Sequence, residues 1–135
     1  ALMNHLVLFR EDIVVMDMEA GVEHLGRATS GSVDALIIVV NPGARSRVAA
    51  DKIRKLGQDI GIKNIVILAN RVRDEEDEQL IRTSLPDFEI IGFIPEHEEI
   101  VNADRKGVRP FEKIAEVPVQ LQEAVNRITS YKKTF

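Results

Sequence analysis

The sequence lacks cysteine altogether, which excludes disulfide bonds and metal sites built from thiolates and fits a cytoplasmic protein. No apolar run approaches the length of about 20 residues that a membrane-spanning helix needs, so we expect no membrane contact. An excess of positive charge is also absent: the formal net charge is −4, which opposes a broad nucleic-acid surface. With only 5 Pro and 8 Gly, the chain is not of a disordered or fibrous class.

What remains is the composition of an ordinary globular chain. Hydrophobic residues make up 44% of the sequence and charged residues 30%. A chain of 135 residues has the length of one domain, and a chain of that size buries roughly two-thirds of its unfolded surface on folding. We find no internal repeat or linker, so residues 1–135 are predicted to form a single domain.

Four apolar runs alternate with helical patterns along the chain. They are rich in Val and Ile and show no polar alternation, which is typical of parallel strands covered on both faces. The sequence therefore predicts an α/β fold with a partial parallel sheet of about four strands and flanking helices. The predicted strands are residues 13–16, 35–40, 64–69 and 88–94.

Three helices follow from capping signals and apolar spacing. The first lies between the turn at residues 41–43 and Gly61, which supplies a stop. The second starts at Asp74, whose acidic successors oppose the positive end of the helix dipole. The last has Pro118 in its first turn. It is predicted to bury Leu121, Ala124, Val125 and Ile128.

The first predicted strand ends on an acid. Asp17 falls at its carboxyl end, where open α/β sheets bind their ligands, and Gly21 follows four residues later. A glycine there lets the backbone approach a phosphate or bend as a switch. The same residues also fit a plain strand followed by a turn.

Four segments together resemble one family. Residues 17–21 read Asp-Met-Glu-Ala-Gly, residues 23–27 read Glu-His-Leu-Gly-Arg, residues 70–71 are Asn-Arg, and residues 94–96 are Ile-Pro-Glu. This pattern resembles the second half of the CooC-type nickel-insertion ATPases that mature carbon monoxide dehydrogenase. That family belongs to the P-loop ATPases that include MinD, ParA and the nitrogenase iron protein. The resemblance implies a homodimer that serves carbon monoxide dehydrogenase as its client.

The resemblance also implies a role for the acidic segment. Asp17 would hold Mg²⁺ through water beside the β- and γ-phosphates, since Mg²⁺ keeps its waters and accepts few carboxylates. Glu19 and Gly21 would lie in the switch that senses the γ-phosphate. These three residues are the implied catalytic set, and the implied cofactors of the intact protein are ATP or ADP with Mg²⁺.

The later segments are implied to bind the nucleotide base. Asn70 closes a predicted buried strand, and its amide offers the donor and the acceptor that an adenine edge requires. An Asn that caps the following turn is an equally good interpretation of the residue alone. Arg71 lies beside Asn70, and the pocket would be completed by Ile94, Pro95 and Glu96.

One departure from the family limits the expected activity. The Gly-rich Walker A loop, whose backbone and Lys hold phosphates, is missing. Residues 26–33 imitate its glycine spacing but place Ser32 at the Lys position and Val33 at the Mg²⁺-binding position. We therefore expect the chain to be the C-terminal part of a larger P-loop ATPase domain. By itself it should bind no cofactor and hydrolyse no ATP.

The missing loop also removes a strand from the predicted sheet. In this class of ATPase the P-loop strand lies between the strand that ends at Asp17 and the strand at residues 35–40. Its loss would leave unpaired N–H and C=O groups on both neighbours. Either these two strands close together, another copy of the chain pairs with them, or the amino-terminal half was lost or unseen.

Other interpretations remain open. Asp17 could accept a phosphoryl group in a receiver-like signalling module, although Asn70 and Pro95 end the later strands where that chemistry needs a Lys. The chain could instead be a non-catalytic α/β scaffold that dimerises through its incomplete sheet. No nickel site is predicted at His24 or His97, because convergent ligands are not evident.

Overall fold

Three parallel strands form the sheet at the centre of the protein. The computed structural model describes residues 13–18, 33–108 and 116–131. Strand β1 spans Leu36–Val40, β2 spans Ile65–Val72 and β3 spans Glu89–Pro95, and they lie in the order β1-β2-β3. All pairings are parallel, which confirms the predicted α/β fold.

Four helices accompany the sheet in the part of the chain that the structure describes. Helix α1 spans Arg45–Asp59, α2 spans Glu75–Ser84, α3 spans Glu98–Lys106 and α4 spans Glu116–Thr129. Three of them confirm sequence predictions. Helix α1 ends before Gly61, whose φ of 88° favours glycine, and Asp74 caps α2 by accepting a hydrogen bond from Asp77 N–H. Helix α3 is not predicted by the sequence analysis.

The two crossover helices cover one face of the sheet. Helices α1 and α2 lie on the same face, as expected when successive right-handed crossovers proceed in one direction across a parallel sheet. Their small and apolar side chains pack against β1, β2 and the start of β3 in one buried cluster. Its members are Ile38, Val40, Ala50, Ile67, Ala69, Val72, Ile81, Leu85 and Phe88.

Helix α4 covers the opposite face, but only beside β2 and β3. Ala124 packs against Val66 and Ile91, and Leu121 packs against Ile94. Val125, predicted to be buried, is 40% exposed because its position on α4 falls beyond the stripe that meets the sheet. No helix that the structure describes is both long and apolar enough to cross a membrane.

Two bulges interrupt the pairing of β2 with β3. Between the pairs Ile67↔Ile90 and Leu68↔Gly92, strand β3 carries one extra residue. Between the pairs Ala69↔Phe93 and Val72↔Pro95, strand β2 carries one extra residue. The two insertions cancel, so that Val72 and Pro95 are again in the register of Val66 and Glu89.

The first predicted strand, residues 13–16, does not form. Residues 13–18 have no regular secondary structure. The side chains of Ile13, Val14, Val15 and Met16 are 58%, 45%, 83% and 41% exposed. Within the described ranges β1 pairs with β2 alone, so the first two predicted strands have not closed the gap. A strand needs a neighbour for its backbone groups, and no described strand pairs with this segment.

Candidate nucleotide site

The carboxyl ends of β2 and β3 bring two predicted base-binding segments together. Because the strands are parallel and adjacent, Asn70 and Arg71 on β2 lie at the same edge of the sheet as Ile94 and Pro95 on β3. The contact continues past the strands, where Glu96 N–H donates a 2.9 Å hydrogen bond to the carbonyl of Val72. The sequence placed these segments at strand ends, and the fold makes them neighbours.

The amide of Asn70 is available to a ligand. The residue is half-buried, and its side chain makes no hydrogen bond to any described part of the chain. The cap of α2 is Asp74, so the alternative of Asn70 as the capping residue of that turn finds no support in the described contacts. A side chain with both a free donor and a free acceptor fits the edge of a purine base.

Arg73 and Asp77 form a clamp just beyond β2. The Asp77 carboxylate accepts hydrogen bonds from Arg73 Nε at 2.9 Å, from Arg73 Nη2 at 3.1 Å and from Arg73 N–H at 3.0 Å. The Arg73 side chain is the main reason why the pKa of Asp77 is lowered, and the Arg73 backbone N–H adds to it. Both groups are therefore engaged with each other and fix the start of α2 beside the sheet edge.

An open groove lies between this edge and α3. Its volume is about 620 Å³, and it is lined by Arg73, Glu96, Glu98, Val101, Asn102 and Arg105. The lining carries both signs of charge and polar hydrogen-bonding groups, with Val101 as its apolar surface. A groove of this size falls within the range of small-ligand sites, which is about 300–1,000 Å³.

The acidic half of the predicted site is not assembled. Asp17 is exposed, lies outside the sheet and makes no ion pair or hydrogen bond within the described ranges. Glu19 and Gly21 lie outside the described residues. The described part of the chain contains no group of three His, Asp or Glu side chains able to hold a metal ion. Of the predicted base-binding residues only Glu96 lines the groove, and the described residues do not by themselves fit the Mg²⁺ of a nucleotide.

Two basic residues of α1, Arg47 and Arg54, serve the fold. Arg47 donates to Asp51 at 2.7 Å, to the Ser84 carbonyl at 2.7 Å and to Asp87 at 3.2 Å. Arg54 lies 4.2 Å from the centre of the Phe88 ring. These contacts tie α1 to the loop before β3, so they give no support to a nucleic-acid surface here.

Comparison with known proteins agrees with a nucleotide site. No protein-family profile matches the chain. An uncharacterized ATP-binding protein of Methanocaldococcus jannaschii is 35% identical over 136 residues, covering 98% of this chain and 52% of the relative. The carbon monoxide dehydrogenase accessory protein CooC of Rhodospirillum rubrum is 40% identical over 107 residues, covering 79% of this chain and 41% of the relative.

A more distant relative extends the group. A putative septum site-determining protein MinD of Emiliania huxleyi is 28% identical over 102 residues, covering 71% of this chain and 38% of the relative. The chain thus spans about half the length, or less, of the curated relatives it matches.

Proposed function

Because the chain is a relative of the CooC-type, MinD/ParA-like P-loop ATPases, we propose that it is the base-binding, C-terminal part of a nucleotide-switch ATPase. The observation that carries the proposal is the pairing of the ends of β2 and β3, which brings the segments that contain Asn70 and Pro95 to the same carboxyl edge of the sheet. The free amide of Asn70 would select adenine, and Pro95 would give the base a rigid apolar wall. Arg71, Ile94 and Glu96 would complete the pocket.

In this proposal the phosphate end of the site belongs to the amino-terminal half of a longer protein. That half would supply a Gly-rich loop for the phosphates, while Asp17 would hold Mg²⁺ through water. Glu19 and Gly21 would relay the state of the nucleotide. The isolated chain should then hydrolyse no ATP, and micromolar ATP binding measured by calorimetry would contradict this view.

The incomplete side of the sheet supports a missing neighbour. The outer edge of β1 has no partner in the described ranges, and Val39 on that strand is 59% exposed. Residues 13–16 are apolar and exposed as well. A strand inserted between β1 and residues 13–16 would pair the free edge of β1 and give the exposed run a backbone partner.

The biological role follows from the CooC relative. That protein is an accessory protein of carbon monoxide dehydrogenase. By analogy, the longer protein would act in the cytoplasm as a homodimer that helps to insert nickel into carbon monoxide dehydrogenase. The analogy rests on relatives of which this chain covers 41–52%, so client binding needs its own test by co-purification with the dehydrogenase.

The base site is tested in the full-length protein by substituting Asn70. Asn70→Ala should weaken ATP binding about tenfold, because it removes a paired donor and acceptor from the base edge. Asn126→Ala is the matched control, since Asn126 is exposed on α4 and its side chain bonds only to Gln122 within the described residues. Equal ATP affinity of the Asn70 variant and the wild type would refute the base site.

The switch acid is tested separately by turnover. Asp17→Ala should abolish ATP hydrolysis in the full-length protein, and unchanged turnover would remove Asp17 from the mechanism.

The free β1 edge also favours the scaffold interpretation, in which two copies pair through their sheets. Sedimentation over a concentration series, with and without Mg-ATP, separates the two. Dimerisation that is independent of nucleotide favours the scaffold, and dimerisation that requires nucleotide favours the ATPase.

A further inference from the structure

Arg71 has a backbone conformation that its residue type disfavours. Its φ is 56°, and it is the one non-glycine residue with positive φ among those that the structure describes. The left-handed region brings Cβ close to the following carbonyl and is occupied mainly by Gly, Asn and Asp. The Arg71 side chain is exposed and makes no hydrogen bond or ion pair to the described residues. No contact of the guanidinium therefore explains the conformation.

The bulge in β2 explains where the conformation comes from. Two residues, Asn70 and Arg71, separate the paired positions Ala69 and Val72, whereas Ile94 alone separates their partners on β3. In a regular strand Val72 would share a face with Asn70. Here Val72 joins Ala69 in the same buried cluster, so the chain must turn once within residues 70–71. Bulges of this kind reorient a side chain next to a site.

The bulge is held firmly on both sides. Ala69 is 0% exposed and Val72 is 6% exposed. The carbonyl of Val72 is further tied to the N–H of Glu96 at 2.9 Å. A strained backbone conformation persists where the surrounding contacts hold the chain in place, and such conformations are concentrated at ligand sites.

We propose that Arg71 is a positioning residue that acts through its backbone: its left-handed turn holds the Asn70 amide at the sheet edge beside Pro95, in the orientation that selects an adenine base. This inference rests on the proposed function of the same site. It differs from a direct contact between the guanidinium and the nucleotide, which the position of Arg71 beside Asn70 also allows. The two mechanisms predict different rankings of variants.

The experiment measures ATP and GTP affinity of Arg71 variants in the full-length protein, by competition with a fluorescent ATP analogue. Arg71→Gly and Arg71→Asn remove the guanidinium but tolerate the left-handed region, whereas Arg71→Val disfavours it. We expect the Gly and Asn variants to bind ATP about tenfold more tightly than the Val variant, and to keep a larger preference for ATP over GTP. Lys63→Val, an exposed site just before β2, controls for an added β-branched side chain.

The guanidinium mechanism predicts a different order. Arg71→Lys would then retain the most affinity, and the Gly, Asn and Val variants would be equally weak. That result overturns the proposal. If Arg71→Val fails to fold, as judged by thermal unfolding, the order of the Gly, Asn and Lys variants decides: Gly and Asn above Lys supports the proposal, and Lys above both overturns it.

The Asn70→Ala variant separates this inference from the proposed function. If Asn70→Ala leaves ATP affinity and base preference unchanged, the base site itself is refuted, and the positioning role falls with it. If Asn70→Ala weakens binding while the Arg71 variants follow the guanidinium order, the positioning role alone is refuted.

Discussion

The two sides of the sheet differ in how completely they are covered. On the β3 side, α2 packs on one face and α4 on the other, and Ile91 and Ile94 are 4% and 6% exposed. On the β1 side, α1 covers one face, while Val39 on the other face is 59% exposed. Both faces of the sheet are covered at β3. At β1 the described elements cover only one face, and the other exposes the apolar side chain of Val39, which would normally be buried.

Two similar sequences meet these two environments. Residues 36–40 and residues 13–16 are both short runs of large apolar residues. The first run pairs with β2 over its whole length and forms a strand. The second has no strand beside it and stays irregular. Apolar composition therefore selects a buried strand only where another strand supplies hydrogen-bond partners.

The largest expected effect is the difference in the free energy of unfolding between a substitution at the centre of the sheet and one in residues 13–16. Ile67→Ala should lower the free energy of unfolding by about 2–5 kcal/mol, because it leaves a cavity in the core. Val15→Ala should change it by less than about 0.5 kcal/mol, because that side chain is largely in water. Urea denaturation of both variants measures the difference. Equal losses would mean that residues 13–16 are packed in solution.

In a longer protein, the cost of Val15→Ala should approach that of a core substitution. If an amino-terminal half covers residues 13–16, Val15→Ala in the full-length protein should cost roughly 1.5–3 kcal/mol, as expected for a buried valine. The same urea assay on both lengths of chain tests this. A cost that stays near zero in the full-length protein would contradict the proposed insertion of a strand next to this run.

The clamp beside β2 should make the covered side sensitive to acid. Asp77 has a lowered pKa, chiefly through the Arg73 side chain, so its contribution is present above the ordinary carboxyl pKa of about 4 and is lost as the pH falls through the lowered value. Asp77→Asn should therefore lower the melting temperature at neutral pH, and the gap from wild type should close in acid. Asp59→Asn, at the exposed end of α1, is the control for the loss of a carboxylate that makes no ion pair within the described residues.

The smallest effect concerns the end of α4. Tyr131 donates a hydrogen bond to Glu89 at the start of β3. Burial, and then this hydrogen bond, raise the pKa of Tyr131 to about 12. The resulting stabilisation is present below the ordinary tyrosine pKa of about 10 and is lost as the pH rises through the raised value. Tyr131 is the sole tyrosine, so ultraviolet absorbance reports its titration directly.

Two variants test the cause of this shift. Glu89→Gln should lower the midpoint of the Tyr131 titration, because it removes a negative charge beside the phenol. Arg127→Gln should raise it, because Arg127 lowers the pKa of Tyr131. Movement of both midpoints in the same direction would contradict the assigned contacts.

Sequence alone predicted much of the fold because its signals were local. Apolar runs located β1, β2 and β3, Asp74 marked the start of α2, and Gly61 marked the end of α1. Helix α3 was missed although the sequence carries signals for both of its ends. Two acidic residues, Glu98 and Glu99, lie in its first turn, and Gly107 follows its last turn. Those signals act over a helix of only 9 residues, of which three are apolar: Ile100, Val101 and Ala103.

The positions of the candidate site residues at strand ends were predictable, but their geometry was not. Asn70 and Pro95 stand at the ends of apolar runs, so their common edge follows from parallel pairing. The turn at Arg71 depends on the register of β2 against β3, which is a property of two strands together. Within the described ranges no strand lies beside residues 13–18, and no local pattern in the sequence reports that arrangement.

The two cancelling bulges couple the lengths of β2 and β3. Removing one residue near Ile91 would rotate the rest of β3, carrying Phe93 away from its cluster and bringing Ile94 in its place. Removing one residue at Asn70 or Arg71 would turn Val72 out of the core in the same way. A single deletion in either strand therefore exchanges the two faces on which the side chains of its end lie. Two deletions made together would instead leave regular strands and a buried core, but no bend at the ligand edge.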